Sequence, residues 1–116
     1  MTEGNDIFCK IIAGELPSTK VYEDDDVLAF RDLHPAAPTH ILVIPKAHLT
    51  SLWEADEDDA KILGTLMLRA RDVAREQGLQ EGGFRLVINN GAGAGQTVFH
   101  LHLHVIGGRE LAWPPG

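Results

Sequence analysis

At 116 residues the chain has the length of a single domain, enough to bury a core of its own and too little for two. Its balance of 44% hydrophobic and 23% charged residues is that of a soluble globular protein rather than a disordered one, and no run of eighteen apolar residues is present to cross a membrane. Ten basic against seventeen acidic residues give a net charge of −7 with no lysine or arginine cluster, which argues against polymeric nucleic acid as a partner.

Residues 1–6 lack the basic flank and apolar stretch of a secretory signal, so a cytoplasmic protein without a membrane partner is expected. Asp6 is placed to cap a short helix over Ile7–Ile12, whose apolar positions 7, 8, 11 and 12 follow the three-four spacing before Gly14 and Pro17 stop it. Cys9, the single cysteine, rules out an internal disulfide and reads as a small buried hydrophobe. Two extended stretches, 20–23 and 27–32, flank the acidic turn Asp24-Asp25-Asp26 and read as a hairpin.

After the loop His34-Pro35-Ala36-Ala37-Pro38, the run His40-Ile41-Leu42-Val43-Ile44 is β-branched and apolar on both faces, as a central strand is, and Pro45 closes it. The longest helix is expected to start near Asp56, where four acidic residues suit the positive end of a helix dipole. Ile62, Leu63, Leu66, Met67, Ala70, Val73 and Ala74 form its buried stripe, and Gly78 its stop. A further strand over 84–89 leads through Gly91-Ala92-Gly93-Ala94-Gly95 into the last strand, and the tail 110–116 ends in Trp113-Pro114-Pro115-Gly116. The sum is an α+β domain with about five mostly antiparallel strands, one long helix and one short.

Three of the six histidines fall within that last strand, at His100, His102 and His104, with Leu101, Leu103 and Val105 alternating. In an extended strand the imidazoles then share one face and the apolar residues the other. Neighbouring imidazoles supply a nucleophile, a proton donor and a charge stabiliser around one reacting atom. They also suit a zinc ion, and a merely exposed polar face is the plainest reading. The Gly/Ala turn just before them exposes backbone amides to an anion, with Gln96 and Thr97 adding an amide and a hydroxyl. No GK[ST] sequence or following helix makes it a nucleoside-triphosphatase loop. Amide donors beside a nucleophile favour attack on phosphorus, and with no carboxylate close in sequence to orient metal ligands they weigh against zinc.

Three segments carry a more specific signal: Asp6-Ile7-Phe8-Cys9-Lys10-Ile11-Ile12, Ala37-Pro38-Thr39-His40-Ile41-Leu42-Val43-Ile44-Pro45-Lys46, and Gly95 through Arg109 with its complete His-φ-His-φ-His-φ-φ pattern, φ being apolar. With the tryptophan tail, they make the chain resemble the histidine triad (HIT) family over essentially its whole length, in its Hint branch of purine nucleoside phosphoramidases. The resemblance implies a single HIT domain over 1–116 that forms a homodimer, the tail 110–116 contributing to the dimer. It also implies hydrolysis of the P–N bond of purine nucleoside 5′-phosphoramidates, such as adenosine phosphoramidate or lysine-linked nucleotides, through a nucleotidyl-histidine intermediate.

In that resemblance His102 is the nucleophile and His104 contacts the phosphate and protonates the departing amine, with His100 and His40 assisting. Asn89, Gly95, Gln96 and Thr97 join His102 and His104 in holding the phosphate. Ile7, Phe8, Ile11, Phe30 and Leu33 line the nucleoside pocket, Asp32 accepts the ribose hydroxyls, and Trp113 reaches the partner subunit's site. Some bacterial relatives hold structural zinc through a Cys-x-x-Cys pair in the first helix. Asp6 stands at the first of those positions here, leaving Cys9, His48 and His100 one thiolate short, so no metal and no cofactor are expected. The alternatives are a dinucleoside polyphosphate hydrolase, a zinc hydrolase built on the histidine strand, and a nucleotide-binding regulatory protein with incidental activity.

Overall fold

Strand alternation puts a packed apolar layer on each face of one sheet in the computed structural model, which describes residues 6–116. The strands are β1 (Lys20–Glu23), β2 (Val27–Arg31), β3 (Thr39–Pro45), β4 (Phe84–Val87) and β5 (Leu103–Gly107), in the order β1-β2-β3-β5-β4 with every neighbouring pair antiparallel. Two helices complete the fold, α1 (Ile7–Ile12) and α2 (Ala60–Glu76). The α+β expectation holds in class, strand number and helix lengths. Residues 1–5, most of the stretch read as lacking a signal segment, lie outside the described residues. Among the described residues no helix is long and apolar enough to cross a membrane.

β3 occupies the centre because both of its faces are apolar. Ile41 and Val43 pack with Val27, Ala29, Leu103 and Val105 beneath the α2 residues Leu66, Ala70, Val73 and Ala74. Leu42 and Ile44 point the other way, joining Leu28, Phe30 and the α1 residues Phe8 and Ile11. Burying each such side chain contributes about 1.5–3 kcal/mol, so the short helix is held to the sheet by Phe8 and Ile11 more than by its own six residues. Asp6 caps it as expected, accepting the Cys9 N–H at 2.7 Å.

Three boundaries move. The acidic segment at 56 first forms a 3-10 turn over Glu57–Asp59, closed by reciprocal bonds between Asp56 and Asp59, so α2 itself begins at Ala60. Aspartates compete for nearby amides and favour caps over helix interiors. In the stripe of α2, Met67 is 49% exposed rather than buried, because it lies at the stripe's margin against Leu52 and Ile88. β4 ends at Val87 and β5 begins at Leu103, not His100. Pro45 has no N–H with which to extend the β3–β5 ladder, and its carbonyl instead accepts from the His100 ring at 2.8 Å, while the Leu101 N–H turns to Leu49 O.

Gly107 closes β5 under α2's C-terminal turn. A Cβ there would lie 2.9 Å from Leu79 Cδ1 and 3.3 Å from the Gly83 carbonyl. Gly107→Ala is expected to lower stability by about 1–3 kcal/mol through overpacking, read as a lower urea midpoint at unchanged slope. A midpoint equal to wild type would show that Leu79 moves aside freely.

Candidate active site

Alternation survives where the ladder does not. Leu101, Leu103 and Val105 all enter the α2-side core, while the His102 and His104 rings emerge on the α1 side. Phe8 meets the His102 ring edge-on at 5.0 Å and Phe30 at 5.5 Å, and the His102 and His104 rings lie 5.0 Å apart. They form one wall of a cleft of about 220 Å³ whose remaining lining includes Ile7, Phe8, Ile11, Phe30, Asp32, Leu33 and Thr97. All six side chains expected around a nucleoside are therefore in one cleft. Pro17, Ser18, Arg31, His34, Leu42 and Val98 also line it. Of these, Leu42 was legible from its alternation with His40; the others are loop, helix-flank or strand-end residues with no periodic signal.

Hydrogen bonds fix which nitrogen of each ring carries a proton. The Nδ1 of His102 lies 2.7 Å from the His100 carbonyl oxygen, an acceptor only, so Nδ1–H donates and the lone pair is left on Nε2. The Nδ1 of His40 accepts the Ala36 N–H at 2.9 Å, which puts the His40 proton on Nε2; that N–H faces His104 Nδ1 at 2.9 Å and donates to it. His104 accordingly carries its own proton on Nε2, which is buried and makes no hydrogen bond. A nucleophilic nitrogen and an unused donor thus stand on adjacent strand positions of one cleft.

Burial lowers the pKa of His102, and that of His104 is pushed down to about 4 by burial first and then by the neighbouring His102 and His40. Both rings are neutral at pH 7, as a nucleophile must be. Asp32, at the end of β2, accepts the His34 N–H at 2.7 Å through one oxygen and holds the other 3.5 Å from His40 Nε2. Its carboxylate faces the cleft between the aromatic wall and the histidines.

Two expectations are corrected. His100 serves this site through its main chain: its fully buried ring points away, to Pro45 O, Cys9 Sγ and Asp6, and does not line the cleft. Gln96 braces the loop instead of offering its amide to a phosphate. It is 2% exposed, its Nε2 donates to Thr50 O and Val98 O, and its Oε1 accepts the Gly91 N–H. The loop's amides are likewise engaged internally, those of Ala94 and Gln96 by Gly91 O and that of Gly95 by Ala92 O. Gly95 sits at φ +103°, which only glycine adopts without strain, and packs beside Asn89 behind the cleft rather than in it.

His40 acts on the cleft through His104 and does not line it. Trp113 is 81% exposed, so its ring is not used in packing against its own chain; the tail is held at Ala112, whose carbonyl accepts from Arg85 at 2.8 Å. The reasoning that left a metal site one donor short also changes: Asp6 brings a carboxylate to Cys9, His48 and His100, all four donor atoms lying within 4.8 Å of one another.

Residues 13–111 match the HIT domain family. The chain is 56% identical over 110-odd residues to a 14 kDa zinc-binding protein of Brassica juncea, covering 95% of this chain and 98% of that one. It is 55% identical to adenylylsulfatase HINT1 of Arabidopsis thaliana, covering 95% of this chain and 76% of the relative. Among solved structures it superposes on a HIT family hydrolase from Legionella pneumophila with a TM-score of 0.95 at 50% identity, over 97% of this chain and all of the other.

Proposed function

The chain belongs to the HIT domain family, whose solved members of this fold include hydrolases, and on that premise we propose that it hydrolyses the P–N bond of purine nucleoside 5′-phosphoramidates. The observation that carries the reading is the opposed protonation of two adjacent histidines: a bare Nε2 on His102 and an unpaired Nε2–H on His104 in one cleft. A purine fits the wall of Ile7, Phe8, Ile11, Phe30 and Leu33, and a ribose cis-diol fits the Asp32 carboxylate. The phosphate then lies between Thr97 and the two histidines, with Asn89 and Gly95 supporting the loop behind it.

His102 Nε2 attacks the α-phosphorus, the P–N bond breaks, and the amine leaves with a proton. The anionic phosphoryl group beside His104 opposes the burial that holds that ring near 4, allowing it to bind a proton and pass it to the leaving nitrogen. Water then attacks the nucleotidyl-histidine, freeing the nucleoside monophosphate and restoring neutral His102. The His100 carbonyl accepts the Nδ1–H throughout and stabilises the ring as it becomes positive.

A homodimer completes the proposal. The exposed Met67, Leu52 and Ile88 suit burial against a second copy, whose Trp113 would then cover the cleft. Rapid quenching with an adenosine phosphoramidate followed by peptide mass mapping is expected to place the nucleotidyl group on His102. An adduct on any other residue would overturn the assignment. The name of the Arabidopsis relative favours a second leaving group, sulfate, through the same attack.

A further inference from the structure

On the face of α1 away from the cleft, four side chains from three segments converge: Asp6 and Cys9 from the helix start, His48 from the loop after β3, and His100 from the entry to β5. We infer that this cluster is a closed structural zinc site in which the Asp6 carboxylate is the fourth ligand. It shares no ligand atom with the proposed chemistry.

The spacing fits a metal. Ligands about 2.0–2.3 Å from a tetrahedral zinc stand about 3.3–3.8 Å from one another. The structure places Asp6 Oδ2 3.4 Å from His100 Nδ1 and 3.0 Å from His48 Nε2, and Cys9 Sγ 3.5 Å from His100 Nδ1. Asp6 Oδ2 is nonetheless buried without a hydrogen bond, so these approaches converge on a shared point rather than along donor axes.

His100 supplies the second, independent indication. Its Nε2 can only donate to the Pro45 carbonyl at 2.8 Å, which leaves the lone pair on Nδ1, facing the Asp6 carboxylate. An acceptor facing an acceptor inside the protein, with a main-chain carbonyl orienting the ring from outside, is how a metal-bound imidazole is held. The Asp6 oxygen that caps α1 is Oδ1, so Oδ2 is available for coordination without loss of the cap.

His48 adjusts on binding: its Nε2–H now donates to Phe99 O at 3.1 Å, and coordination through Nε2 needs the ring proton on Nδ1. Zinc binding converts the Cys9 thiol to thiolate and releases that proton to solvent. By contrast the cluster of Asp32, His40 and His104 offers no such set, since His40 Nδ1 accepts the Ala36 N–H and His104 Nδ1 accepts from His40.

The test is cobalt and zinc titration of the metal-free full chain. One cobalt per chain is expected, giving tetrahedral visible bands and a thiolate-to-cobalt charge-transfer band that Cys9→Ser abolishes. Zinc should raise the thermal midpoint of the wild type. Asp6→Asn keeps the cap acceptor but removes the charge and is expected to weaken zinc at least tenfold, whereas Asp6→Cys, which supplies a second thiolate, restores or exceeds wild-type affinity. Binding unaltered in Asp6→Asn would remove Asp6 from the site. Absence of the charge-transfer band at saturating cobalt would overturn the site altogether.

Discussion

His102→Ala is expected to lower turnover of adenosine 5′-phosphoramidate by at least about 10³-fold while leaving binding of the nucleoside monophosphate within a few-fold of wild type. The size of the loss follows from what is removed. Without the Nε2 lone pair no covalent intermediate forms, and water must attack phosphorus directly in a cleft that offers it no base. Binding survives because the wall of Phe8 and Phe30 packs mainly on Leu28, Leu42 and Ile44. Steady-state kinetics and equilibrium dialysis of the variant separate the two effects. Turnover within tenfold of wild type would mean that another group attacks.

The second large effect is on the leaving group. An alkylamine must gain a proton as the P–N bond breaks, whereas sulfate departs as a stable anion. His104→Ala is therefore expected to reduce kcat for an alkyl phosphoramidate by about 10²–10⁴-fold, the range of a lost general acid. Adenylyl sulfate should suffer less, by at least about a factor of ten, because it loses only the hydrogen bond from Nε2–H to a phosphoryl oxygen. Equal losses on the two substrates would assign His104 to holding the phosphate alone. His40→Ala frees His104 Nδ1 from its donor and should reproduce part of the same discrimination without touching substrate.

The histidine face shows why some of the site could be read from the chain and some not. Alternation at 100–105 follows from the two-residue period of an extended backbone, so leucines on one side and imidazoles on the other needed no knowledge of the partners. Direction beyond that was not local. His100 shares the period with His102, yet its ring turns to Pro45 and Asp6 because the ladder ends where a proline cannot donate. Gln96 has the donors a phosphate needs, but Thr50 and Val98, nearby only in the fold, already take them.

The acidic run at 56–59 has the same lesson in miniature: its charge marked a helix start, while the reciprocal bonds of Asp56 and Asp59 decided that a tighter turn comes first. Likewise Asp6 was legible as a helix cap from its place before an apolar run, and its second oxygen acquired a neighbourhood only when residues 48 and 100 folded against it.

By itself the sequence determined the elements, the central place of β3, the shared face of the reactive rings and the apolar character of the nucleoside wall, because periodicity and hydrophobicity are properties of neighbours along the chain. The tertiary structure alone decided the tautomers, through the carbonyl of His100 and the relay from Ala36 through His40, and alone gathered Asp6, Cys9, His48 and His100. Proton positions and ligand sets depend on angstrom distances between groups far apart in the chain, and only packing sets those distances.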